Sequence, residues 1–261
     1  MELMLYQVDA FTSKPFAGNP AAVCPVDEWP SDHLLQSIAA ENNLSETAFI
    51  GPGANGLAIR WFTPAAEVDL CGHATLAAAR VLFARDAVDG DRIEFESRSG
   101  VLAVDRLSDG RLEMNFPAWH GEELSVTPGI AQTLGTVPQE LWLAKYYMAV
   151  FDSEDEVRAL RPDMARVVQL DSTGLIATAP GRDVDFVSRF FAPRVGVPED
   201  PATGSAHCAL TPYWSRRLGK TELRARQVSQ RGGELWCTLD GDRVRIAGHA
   251  VEVMSGVIKL P

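Results

Sequence analysis

The chain has no run of Lys or Arg to offset a net charge of −11. That excludes nucleic acid and anionic membrane surfaces as partners, since both are held by basic patches. It has no C-x-x-C pair. Cys24, Cys71, Cys208 and Cys237 are scattered, so neither a structural zinc site nor a disulfide scaffold is expected. No G-x-G-x-x-G follows the first strand signal, which removes a Rossmann reading. The start, Met1 to Asp9, lacks a basic region followed by a long apolar stretch. Neither a signal peptide nor a membrane span is expected, and a soluble cytoplasmic protein is.

What is present is an ordinary globular composition, 46% hydrophobic and 23% charged over 261 residues, enough for one large or two modest domains. Two stretches echo each other: Asp69-Leu70-Cys71-Gly72-His73-Ala74-Thr75 and Asp200-Pro201-Ala202-Thr203-Gly204-Ser205-Ala206. Each follows an aromatic strand signal, Arg60-Trp61-Phe62-Thr63-Pro64 and Arg189-Phe190-Phe191-Ala192-Pro193, 129 residues apart. Each leads into a small-residue run fit for a buried helix. The two central glycines are 132 residues apart, so the pattern reads as an internal duplication with a three-residue insertion in the second copy.

Leu3 to Ala10 alternates as a strand, and Ser31 is a natural N-cap for a helix with Leu34, Leu35, Ile38 and Ala39 on one face. Asp109-Gly110 marks a hairpin, and Thr127-Pro128 an N-cap with Pro at the first helical position. Between these, strands are expected at 47–50, 57–62, 92–96, 101–107, 112–116, 146–151, 175–179 and 186–190, with helices at 72–85, 154–161 and 163–170. The tail reads as strands at 222–230, 235–239, 243–247, 251–254 and 257–260. Many strands around one central helix per half is the expected architecture.

Gly72 and Gly204 stand where strand-to-helix turns aim backbone N–H groups at a ligand, a natural carboxylate site. His73 follows the first glycine and can donate to a substrate or pass a proton. Asp200 and Ser205 flank the second and can hydrogen-bond a substrate or orient His73. Glu46 stands at the entry to an apolar strand, where burial raises a carboxyl pKa and makes a general acid/base. Its counterpart in the second half is Gly174, so the duplicated frame carries one candidate base. Cys71 has Thr203 as its counterpart, which argues against a two-thiol racemase because a threonine hydroxyl is too weak an acid.

Gln7-Val8-Asp9-Ala10-Phe11, Phe16-Ala17-Gly18-Asn19-Pro20, Leu44-Ser45-Glu46-Thr47-Ala48-Phe49 and the two glycine stretches together resemble the phenazine-biosynthesis isomerase (PhzF-like) family of the diaminopimelate epimerase superfamily. The resemblance runs from residue 7 to about 218. It implies an α+β fold of two pseudo-symmetric domains, each a barrel-like sheet wrapped around a central helix, with the active site between them. The expected division is 1–108 with a returning strand at 250–261, and 109–249. The resemblance implies a cofactor-independent isomerase, without metal, acting on a small carboxylate-bearing substrate, and a homodimer. On it, Glu46 matches the proton-transferring glutamate, and His73, Asp200 and Ser205 the other polar positions. Asn19, Gly72, Gly204, Thr203 and Cys71 fall at substrate-binding positions. An epimerase, racemase or dehydratase using Cys71 stays open beside this, as does a binding protein that has lost catalysis.

Overall fold

A computed structural model of the chain describes residues 2–260. It divides into two compact units, Met1–Asn115 with Ala247–Pro261, and Phe116–Ile246. The junctions fall at 115/116 and 246/247, where the sequence placed them at 108/109 and 249/250.

In the first unit, β1 (Glu2–Ala10) pairs antiparallel with β2 (Asn19–Pro25), and helix α1 (Asp32–Asn42) leads to β3 (Glu46–Pro52), parallel to β2. The α1 start is capped as expected, Ser31 Oγ accepting from Leu34 N–H. Next, β3 pairs antiparallel with β4 (Leu57–Phe62), which carries the short β5 (Glu67–Val68). After helix α2 (Gly72–Ala84), β6 (Arg92–Ser97) returns parallel to β4, and β7 (Gly100–Arg106) and β8 (Leu112–Pro117) follow as antiparallel neighbours.

The second unit runs β9 (Glu122–Leu124), α3 (Pro128–Leu134), β10 (Glu140–Leu143), β11 (Tyr147–Val150), α4 (Glu154–Ala159), α5 (Met164–Gln169), β12 (Leu175–Pro180), β13 (Phe186–Ala192) and β14 (Val197–Asp200). It continues through α6 (Gly204–Leu218), β15 (Glu222–Gln227), β16 (Gly233–Asp240) and β17 (Arg243–Gly248). The duplication is visible in the ladders. β11 lies parallel to β12 as β2 does to β3, and β12 is antiparallel to β13 as β3 is to β4. β13 carries β14 as β4 carries β5, and takes β15 in parallel as β4 takes β6.

Finally β18 (Ala250–Lys259) pairs with β1 along its whole length, with one register shift at Gln7/Val8. The sequence reads this tail as two strands broken near Ser255-Gly256. Continuous pairing with β1 overrides the local turn signal. Strands β5, β9, β10 and β14 went unread because two to four residues are too few to show an alternation.

Small side chains make the central helix of the first unit possible. Ala74, Ala77, Ala78 and Ala79 are fully buried, and α2 packs against β1, β2, β3, β7 and β18. In the second unit α6 packs against β15 and β16. Its Trp214 stacks on Phe186 of β13, centroids 5.6 Å apart, and donates through Nε1 to Thr178 Oγ1 at 3.0 Å. No helix among the described residues is long and apolar enough to cross a membrane.

Trp214 holds a helix to two strands at once. Trp214→Ala should cost about 3–5 kcal/mol and Trp214→Phe distinctly less, read as shifts in the urea unfolding midpoint. Equal losses would show that the ring stacking contributes nothing.

Candidate active site

The first unit assembles its polar group from three elements. Gly18 turns the chain into β2 at φ +63°, where an added Cβ would sit 2.2 Å from the Ala10 carbonyl oxygen. Only glycine fits that turn, and Asn19 follows as the first residue of β2, fully buried. Glu46 opens β3 opposite Ala21 of β2. Cys71 is the extended N-cap of α2, and Gly72 and His73 are the helix's first two residues. No side chain caps that helix start.

These elements bring Asn19, Glu46, Cys71 and His73 into one cluster. His73 is 6% exposed. Its Nε2 lies 3.2 Å from Glu46 Oε2, close enough for an ion pair but not aligned as a hydrogen bond. On the other edge, Nδ1 lies 3.5 Å from Cys71 Sγ and 3.2 Å from the end of the Asn19 side-chain amide, which must turn its oxygen toward an imidazolium Nδ1–H because two N–H donors repel. One imidazole thus links a carboxylate, an amide and a thiol.

The electrostatics correct one expectation. Burial does push the Glu46 carboxyl up, but the charge of the nearby His73, with help from Cys71, outweighs it and holds Glu46 below 4.5. Burial opposes the His73 imidazolium, yet hydrogen bonding to the Cys71 sulfur and the charge of Glu46 outweigh it and hold His73 well above 6.5. Burial first, then the Glu46 charge, pushes the Cys71 thiol up to about 11. Near neutral pH the cluster is therefore carboxylate, imidazolium and neutral thiol. Glu46 starts as a base, where burial alone would have made it an acid.

Glu46, Cys71 and His73 each bring a ligand atom to within 4.8 Å of the others, donor types that suit a thiophilic cation. Such a cation would first have to displace the thiol proton that burial holds in place.

The second unit carries its own polar set. Thr203 is the N-cap of α6, Gly204 its first residue, and again no side chain caps the start. Thr203 Oγ1 donates to Asp200 Oδ2. Ser205 Oγ lies 3.2 Å from the Tyr146 hydroxyl, so Ser205 lies inside the helix with an aromatic partner and is not its cap. Gln227, fully buried, accepts from Thr203 N–H at 2.9 Å and donates to the Asp200 carbonyl at 2.7 Å. His207, also fully buried, donates Nδ1–H to the Thr203 carbonyl at 2.8 Å, and burial drops its pKa to about 4.

Tyr146 and Gln227 were not singled out from the sequence. Gln227 left a signal: Leu223, Ala225 and Gln227 alternate inward along β15, and a polar member of an inward set needs buried partners. Tyr146 left none.

The ladders also fix the counterpart of Glu46. Thr47 pairs with Phe62 in the first unit and Leu175 with Phe191 in the second, which sets Gly174 where Glu46 stands. A Cβ at Gly174 would lie 2.4 Å from the Phe190 ring and 3.1 Å from that of Tyr146. Two aromatics fill the space a second carboxylate would need.

Two units built on one strand order, each with an uncapped helix start beside a polar cluster, define an α+β epimerase-type fold. The family model described as phenazine biosynthesis-like protein matches residues 8–256, and the chain belongs to that family of isomerase-type proteins. A Pseudomonas aeruginosa protein named as an uncharacterized isomerase is 55% identical over 261 residues, covering 100% of both chains. A crystal structure of a PhzF-family phenazine biosynthesis protein from Enterococcus faecalis is 44% identical, covers 100% of both chains and superposes with a TM-score of 0.97. A hydroxyproline epimerase from Agrobacterium vitis, solved with trans-4-hydroxy-L-proline, shares the fold. Its TM-score is 0.63 at 11% identity, over 98% of this chain and 92% of that one.

The shifts set a pH window. His73, raised, contributes stability below about 6.5 that is lost as pH climbs through its folded pKa. Glu46 and His207, lowered, contribute above their unfolded values and lose it as pH falls through their folded ones. In an NMR titration, His207 should turn over near pH 4 and His73 well above 6.5. Glu46→Gln should drop the His73 midpoint, since burial remains and the carboxylate is gone. A His73 midpoint that ignores Glu46→Gln would sink the ion pair.

Proposed function

We propose that the protein is a cofactor-independent isomerase that moves a proton between two carbons of a small carboxylate-bearing metabolite, with Glu46 as the single base. The observation that carries this is Glu46 3.2 Å from His73, a contact that holds its carboxyl below the usual value, with Gly174 and two aromatic rings where a second base would stand.

The chemistry follows from the charges. The substrate carboxylate lies at the α2 start, where the backbone N–H groups of the first turn lack helical partners and the helix dipole favours an anion. Glu46 takes a proton from a neighbouring carbon and becomes a neutral acid. His73 then faces no counter-charge, and delivering the proton to a second carbon restores the ion pair. The ion pair thus makes Glu46 a weaker base but drives the proton's onward delivery. In the second unit, Asp200, Thr203, Gly204 and Ser205 enter this reading as substrate contacts on the strength of the family resemblance.

A second reading, an epimerase or racemase that uses Cys71, is favoured by the Cys71 Sγ contact with His73 Nδ1 at 3.5 Å. Against it stand the thiol's pKa of about 11 and the threonine at its counterpart. Iodoacetamide decides between them: substrate-protected inactivation would support the thiol.

Dihydro-hydroxyanthranilate, diaminopimelate, proline and hydroxyprolines in deuterated water form the first substrate panel, followed by proton NMR. Glu46→Gln should lower turnover by about 10²–10⁴-fold and leave binding close to wild type. Full turnover in Glu46→Gln would remove the base from the account. Tight binding with no deuterium entering any ligand would favour a binding protein.

A further inference from the structure

A cavity of about 360 Å³ lies within the second unit, walled by Trp119, Trp142 and Tyr213 among others. None of its lining residues belongs to the candidate set described above. Its volume is that of a small-molecule site, and mostly apolar walls with a few polar groups are how such sites are built.

The charges around it are unusual for this protein. Most cations nearby are paired: Lys220 with Asp185, Arg217 with Glu140, and Arg224 and Arg226 with Glu234. Arg216, which lines the cavity, has no carboxylate partner among the described residues and rests instead on Trp142, its guanidinium carbon 4.8 Å from the ring centroid. Lys145 lines an adjoining cavity that shares Trp119 and His120, and it likewise sits over a ring, Nζ being 4.8 Å from Trp119. A cation on a ring face is held in position while its N–H groups stay available. Ser215 adds a third polar group. It lines the cavity, is 5% exposed, and its hydroxyl has no hydrogen-bond partner. A buried hydroxyl left unpaired costs stability unless something pairs with it.

We propose that this cavity is a binding site for a flat aromatic anion, with Trp119, Trp142 and Tyr213 taking the ring and Arg216 the charge. An acidic protein that leaves a ring-mounted arginine unpaired at an aromatic cavity has the complement of a small aromatic carboxylate. Glu140 accepts from Trp142 Nε1 and Tyr213 Oη but is neutralised by Arg217, whereas Glu122 lines the adjoining cavity. The anion is therefore set on the Arg216 side, with Lys145 a weaker, longer-range contributor. The ligand is thus selected twice, by ring shape and by charge.

Calorimetric titration with 1-naphthoate tests this, with 1-naphthalenemethanol as the uncharged control of the same shape. The wild-type protein should bind the acid about tenfold or more tightly than the alcohol. Arg216→Ala should close that gap, because the residue is exposed and its loss leaves the fold intact. Trp142→Ala should weaken both ligands, and Glu46→Gln should leave both unchanged, which separates this site from the proposed catalytic one. Equal affinity for acid and alcohol, or naphthoate binding lost in Glu46→Gln and kept in Arg216→Ala, would overturn the proposal. It would also fall if wild type binds neither ligand while Arg216→Glu turns a dimer into monomers by light scattering, for a second copy of the chain would then cover the cavity.

Discussion

A carboxylate and an imidazolium 3.2 Å apart, both largely removed from water, are the constraint on which the first unit's chemistry depends. Neither ion is stable there alone, because burial favours the neutral form of each. Together they stay charged, and removing either strands the other, so the pair acts as one unit. On the proposed function it also sets the direction of proton traffic: Glu46 takes the proton, His73 has none to gain, and Cys71 keeps its own.

The backbone holds this pair without using a loop. Glu46 is the first residue of a strand and His73 the second residue of a helix, so each sits on a rigid element with its side chain leaving the end of that element. The helix can be central because four of its ten buried residues are alanines, which let five strands approach it. Gly18 places Asn19 against the far nitrogen of the same imidazole. Geometry of this kind costs little to maintain during a reaction, since the groups need not be reordered at each turnover.

Much of this was legible in the sequence. The two glycine stretches survive as helix starts, and the aromatic strand signals before them and the match of Glu46 with Gly174 follow from the ladders. The caps at Ser31 and Thr127 form as their residue types dictate. The sign of the Glu46 shift was not legible, because burial can be read from an apolar strand while a charge partner 27 residues away in the chain cannot. Tyr146 and Gln227 were hidden for the same reason: a hydrogen bond across 59 or 24 residues leaves no local pattern. The residue pattern splits the strand at 250–259 in two because its partner is the opposite end of the chain, while the family resemblance implied one returning strand there.

The most direct test is a carbon-13 NMR titration of the Glu46 carboxyl in the wild-type protein and in His73→Gln. The account predicts a midpoint below 4.5 in wild type that moves above 4.5 in the variant, where burial acts without its counter-charge. A wild-type carboxyl that titrates above 4.5, or one that does not move when His73 is replaced, would contradict it.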